Sequence, residues 1–154
     1  MPRPLDSIAR ELALQYLYCR DVWKGEEGGF EKFAEGFPTA KRTAGRAKSI
    51  TGTVIDRRDD IDAVISRTAE NWPLHRMSIV CRNILRIGTA ELMFRNDVPF
   101  KVVIDEAVEL AKRYDAESSG AFVNGILDKV AREFRTAEVA SNGVTATGKS
   151  AEGG

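Results

Sequence analysis

The sequence holds few of the residues on which most catalytic and secreted proteins rely. His75 is its one histidine, so a His-based metal cluster or a His-paired nucleophile has at most one candidate member. Beside Pro73 and Arg76, near a helix start, it reads as an exposed turn residue. Only two cysteines occur, and Cys19 and Cys81 lack the short spacing of a metal site. They cannot form a disulfide framework either. Charge of one sign is not in excess, since 23 Lys and Arg face 23 Asp and Glu. That balance argues against an indiscriminate nucleic-acid binder, whose affinity comes from cations displacing counterions, but leaves room for a local basic patch. Long apolar runs are absent, and Met1 to Asp6 has no apolar signal core. No membrane span or secretory leader is expected, and a reducing cytoplasm is the expected location.

What is present is soluble and helical. The 154 residues are 43% hydrophobic and 30% charged, enough for one domain or two small subdomains sharing a core. A chain of this length buries roughly 68–70% of its unfolded surface and needs no staple. From Asp6 to Lys24, Leu5, Ile8, Leu12 and Tyr16 form one stripe, broken by Gly25, Gly28 and Gly29. A short segment around Phe30, Phe33 and Phe37 ends at Pro38. Thr39 to Lys48 reads as a basic connection. Ile50 to Ala69 reads as one bent helix or two shorter ones, closed by the turn Asn71-Trp72-Pro73.

Ser78 to Arg95 carries Val80, Ile84, Leu85, Gly88 and Leu92, and Pro99 suits the first turn of the next helix. Val103, Ala107, Leu110, Ala111 and Tyr114 then mark an amphipathic face, as do Val123, Leu127, Val130 and Phe134. No strand alternation is visible. The expected fold is all-α, a bundle of about six or seven helices. Residues 1–135 form the expected domain, and the Ala/Gly/Ser/Thr-rich stretch 136–154 has too little to bury and reads as a flexible tail.

Local charge says more than the total. Lys41, Arg42, Arg46 and Lys48 have no acid among them, and a helix starting near Thr43 would set them at its positive end, which the macrodipole disfavours. Asp59, Asp60 and Asp62 follow Arg57 and Arg58 and read as a self-compensated helix face. Cys81, among Val80, Ile84 and Leu85, reads as a small buried residue. Arg86 lies within an apolar run and must pair with a carboxylate, such as Glu106, because an unpaired buried guanidinium costs too much.

Several motifs then occur in a fixed order. They are Leu85-Arg86-Ile87-Gly88, Glu91-Leu92, Asp97-Val98-Pro99, Val103-Ile104-Asp105-Glu106-Ala107, Ala111-Lys112 and Phe122-Val123-Asn124-Gly125-Ile126-Leu127-Asp128. With the opening helix Ala9 to Tyr18, they make the sequence resemble the NusB family of bacterial transcription factors, from about Ala9 to Phe134. The resemblance implies two packed three-helix subdomains and a role without catalysis or cofactor. It also implies transcription antitermination within the elongation complex. The expected partners are NusE, a small-subunit ribosomal protein, and the boxA element of ribosomal RNA during its synthesis.

Carried over by position, the implied RNA contacts are Arg10, Gln15, Tyr114, Ser118 and Phe122, with Arg3 nearby. Lys41, Arg42, Arg46 and Lys48 are auxiliary candidates. Tyr18, Arg76 and Cys81 match the NusE side. The sequence also departs from the family pattern. Asp6, Ser7, Ile8 and Ala9 replace an arginine-rich stretch, Ala121 and Ser118 stand where polar or basic side chains are common, and Cys81 replaces an acid. Fewer cations mean weaker and less salt-dependent RNA binding. The alternative is a NusB-like protein–protein adaptor or homodimer with reduced or absent RNA binding. A related domain precedes the catalytic domain of some ribosomal RNA cytosine methyltransferases, a reading given little weight here because the sequence runs into its Gly/Ser/Ala tail.

Overall fold

The computed structural model describes residues 4–23 and 29–141. Among them there are seven α-helices and a short 3-10 turn, with no strand. The helices are α1 (Leu5–Trp23), α2 (Gly29–Ala34), α3 (Lys41–Asp56), α4 (Arg58–Thr68), α5 (Ile79–Phe94), α6 (Phe100–Tyr114) and α7 (Ser119–Phe134), and the 3-10 turn spans Leu74–Arg76. No described helix is long and apolar enough to cross a membrane.

α5 forms the axis of the molecule. Residues 83–92 are buried without a break, so the helix is covered on every side. α6 and α7 pack on it and on each other, while α1, α3 and α4 close around its remaining flank. Ser78 starts it cleanly, its hydroxyl accepting the Cys81 amide at 3.0 Å. At Gly88 α7 packs close, since a Cβ there would lie 2.6 Å from Leu127 Cδ1. α2 is held by rings instead, with Tyr16 against Phe30 and Phe33 at 5.3 and 5.2 Å between centroids.

The structure moves two expected boundaries. Thr39 to Lys48 is not a connection, because α3 starts at Lys41 and runs to Asp56. Its buried stripe is Thr43, Ala47, Ile50, Thr51 and Val54, so two threonines and an alanine mask the helical period. A single break at Arg57, which caps α3 and precedes α4, settles the 50–69 region as two helices. The first residues of the stretch expected as a tail are ordered. Residues 136–141 make a further helical turn. Glu138 accepts the Phe100 amide at 2.8 Å and Val139 packs on the core. The remainder of the expected tail, 142–154, lies outside the described residues.

Arg135 anchors that turn. It is 5% exposed and donates to the carbonyls of Leu92, Val98, Glu91 and Arg95 at 2.7–3.0 Å. These are carbonyls at the end of α5 and just beyond, where the helix leaves acceptor capacity over, although Glu91 and Arg95 also accept the Arg95 and Val98 amides.

Candidate nucleic-acid and partner interface

The expected site residues fall into three settings. The first is an apolar groove between α1, α2 and the end of α6. Gln15, Tyr18 and Tyr114 line it with Leu14, Phe33, Phe37 and Val80. Tyr18 and Tyr114 are 42% and 37% exposed, large flat rings left in solvent. Tyr114 thus leaves the core at the end of the stripe that Val103 to Ala111 begin. Its phenol is pushed up by burial first and by Glu11 second. Arg113 beside it pairs with Glu11 at 2.5 Å.

The second setting adjoins the first, because Val80 and Tyr114 line one and Cys81 and Asp115 the other. Here Arg76, Cys81, Ser118 and Phe122 meet. Asp115 organises the floor, accepting from Ser78 Oγ at 3.2 Å and Ser119 Oγ at 2.5 Å. It thereby ties the start of α5 to the start of α7. Burial pushes the Cys81 thiol up to about 11, with Asp115 adding to the shift. Cys81 is therefore a neutral, packed wall residue at physiological pH. Phe122 is half-buried against the core with part of its ring in the depression, so its structural and surface roles coexist. Trp72, which was read only as part of a turn, lines the same depression and is 49% exposed. A tryptophan in an Asn-Trp-Pro turn, with no apolar period around it, was the signal that could have found it.

The third setting is the first half of α3. Lys41 and Arg42 are exposed and make no ion pair among the described residues. No acid occupies the first turn and Ala40 offers no side-chain cap, so these cations do sit at the positive end of a helix. Arg46 lies 3.2 Å from Asp6 and 4.0 Å from Asp97, and Lys48 pairs with Glu31. Two of the four auxiliary cations therefore have acids already beside them.

Arg10 needs the largest correction. It is 2% exposed and points inward. Its Nε and Nη2 grip Glu91 at 2.8 and 2.7 Å, and Nη1 reaches Glu106 at 3.3 Å. The Ser7 hydroxyl also donates to Glu106. Burial alone would lower the guanidinium's pKa, but Glu91 and Glu106 outweigh it and the net shift is upward. Arg10 is thus a bidentate core ion, not a phosphate contact. Glu106 being taken, Arg86 pairs with Asp62 at 2.8 Å and Asp21 at 3.2 Å rather than with Glu106. Asp62 thereby leaves the solvated acidic face expected of it, while Asp60 remains there with Arg57. Arg3 lies outside the described residues.

Comparison with known proteins places this geometry in context. The sequence model of the NusB family matches residues 7–132. The transcription antitermination protein NusB of Trichlorobacter lovleyi is 46% identical over 123 residues, which cover 79% of this chain and 87% of that protein. Its counterpart in Anaeromyxobacter dehalogenans is 47% identical over 125 residues, covering 80% and 87%. Among solved structures, T. maritima NusB superposes with a TM-score of 0.76 at 38% identity, over 86% of this chain and 94% of that one. A second structure, of antitermination factors NusB and NusE in complex with dsRNA, gives a TM-score of 0.76 at 30% identity, covering 84% and 98%.

Proposed function

This chain belongs to the NusB family, and from that premise we propose that it is a cytoplasmic, non-catalytic transcription antitermination factor that pairs with a NusE-type ribosomal protein and holds boxA-type RNA for the elongation complex. One observation carries the assignment of surfaces. Gln15, Tyr18 and Tyr114 converge on one groove, and Arg76, Cys81, Ser118 and Phe122 on the depression beside it. The groove is apolar and bordered by exposed tyrosines, which suits a protein partner, since aromatic anchors supply most of the energy at such interfaces. The depression has a cation, Arg76, and flat rings, Trp72 and Phe122, which suit unstacked bases and their phosphates. This reading moves Arg76 and Cys81 from the expected NusE side to the RNA side, and Gln15 and Tyr114 the other way. Neither surface needs a bond to be made or broken. Their work is to hold two partners in register.

The alternative adaptor reading has its own support. Arg10 is locked inside, and Arg46 and Lys48 already face acids. Fewer cations remain for phosphates than the sequence offers, so affinity for RNA without the partner is reduced.

The test is a titration of boxA-like single strands and of a matched duplex, with and without the NusE-type partner, across a salt series. The proposed factor binds RNA at low salt and binds more tightly once the partner is present. Absence of binding in both conditions would leave the adaptor reading. Light scattering then separates a monomer that gains RNA with its partner from a homodimer.

A further inference from the structure

A second cationic feature is built from residues other than those assigned to RNA or the partner so far. Arg20, Arg58, Arg82 and Arg86 line one open cleft between α1, α4 and α5, with Asp21 and Asp62 as its acids. His75 stands at its rim and is exposed. Positive groups exceed negative ones by two even with the imidazole neutral.

The two acids are already spent. Arg86 is buried and takes both oxygens of Asp62, through Nε at 2.8 Å and Nη2 at 3.0 Å. Its Nη1 reaches Asp21 at 3.2 Å, and Asn83 donates to the same Asp21 oxygen at 2.9 Å. Of the other three guanidiniums, Arg58 and Arg82 hold only long ion pairs to these acids and Arg20 holds none among the described residues. Arg58 Nε is 3.6 Å from Asp62, beyond hydrogen-bond reach. Arg82 Nη1 has only a long 3.4 Å contact to the Leu74 carbonyl, and its Nη2 is 4.0 Å from Asp21. Its Nε is buried with no hydrogen-bond partner. Arg20 makes no hydrogen bond or ion pair among the described residues.

Four guanidiniums around two carboxylates leave the cleft net positive, and a polyvalent oxyanion is the ligand whose acceptors match such a lining. Here Arg86 and its two carboxylates fix one wall, and Arg20, Arg58 and Arg82 line the same cleft with donors that an oxyanion can engage. The surroundings favour a nucleic acid over an acidic peptide. Arg20 also lines an adjoining depression with Trp23, whose ring is 59% exposed. A basic groove beside a free indole is the pairing that single strands use, phosphate on the cations and base on the ring.

We propose that this cleft is a phosphate site for the backbone of a single-stranded RNA, with Trp23 beside it as a platform for a base. The proposal rests on the RNA-binding reading above and adds a contact that the reading does not contain.

The experiment uses the full chain at low salt, a short single-stranded RNA and the variant Arg20→Gln/Arg82→Gln, with Arg58→Gln as a second, exposed variant that leaves α5 untouched. Thermal unfolding of each variant is recorded alongside. Loss of one phosphate contact lowers the slope of log K against log salt by about 0.7 and the affinity by about tenfold. Inorganic phosphate shifts the Nε–H resonances of Arg20, Arg58 and Arg82 and leaves Arg10 unmoved. An unchanged slope in both variants, with RNA still bound, overturns the cleft and leaves the proposed function standing. Resonances that move with a glutamate-rich peptide and not with RNA overturn it in favour of a protein ligand. RNA binding that is absent from the chain alone overturns it too. If RNA binding is also absent with the NusE-type partner, the proposed function falls with it.

Discussion

Two regions of this molecule are built from the same residue type with opposite results. Between α1, α5 and α6, Arg10 is sealed against Glu91 and Glu106, and Arg135 is sealed by four carbonyls and Glu138. On the outer faces Arg20, Arg42 and Arg76 have no internal partner among the described residues. In the interior, a guanidinium is a structural bolt that keeps helices in register because its desolvation has been met by fitted acceptors. On the surface it is an uncommitted donor. Counting arginines in a sequence therefore overstates the charge that a nucleic acid can use.

The sharpest way to break this contrast is at Arg10. Arg10→Met leaves Glu91 charged and buried, and should cost about 3–5 kcal/mol in chemical denaturation. The RNA salt slope of the protein that remains folded should not change. A variant that folds normally but loses its salt slope would move Arg10 to the surface class.

Gly88 tests the interior without any charge. Gly88→Ala should destabilise by about 1–3 kcal/mol, since the fully buried Leu127 must give way to the new Cβ. Differential scanning calorimetry checks it, and a neutral result would mean that α7 slides freely on α5.

On the outer face, Tyr18→Ala should weaken partner binding about tenfold, the loss of one exposed aromatic anchor, with stability changed little. Isothermal titration against the NusE-type protein reads it. Lys41→Gln/Arg42→Gln should lower the RNA salt slope by about 1.4 for two phosphates. Arg46→Gln should change it less, because Arg46 already faces Asp6 and Asp97. Equal effects from all the α3 cations would erase the distinction between paired and free charge.

At neutral pH no effect is expected at Cys81, whose contribution shows only in alkali. Burial raises its folded pKa from 9.0 to about 11, so the folded state holds the proton over that interval while the unfolded state releases it. Stability should be unaffected at neutral pH and should fall as pH rises from about 9 to 11. Cys81→Ala should flatten that slope in urea titrations at successive pH values.

Much of the helical framework was legible before any coordinate. The stripe Val103, Ala107, Leu110 and Ala111 is apolar at helical spacing and is buried as read. α3 was only half legible, because Thr43, Ala47 and Thr51 are buried there without looking hydrophobic. The site divides in the same way. Tyr18, Tyr114, Arg76 and Phe122 could be named by position, but their meeting in two adjoining depressions joins α1, α5, α6 and α7 across long separations. Arg10 was misread because its acids lie 81 and 96 residues away.

The sequence by itself determined the helices, the family and the kinds of side chain from which the surfaces are made. Apolar spacing and helix breakers act over a few residues and can be read along one strand of text. The tertiary structure alone decided which cations are spent and which remain free. That depends on desolvation and on which carboxylate lies within hydrogen-bond reach, quantities set only when distant helices pack.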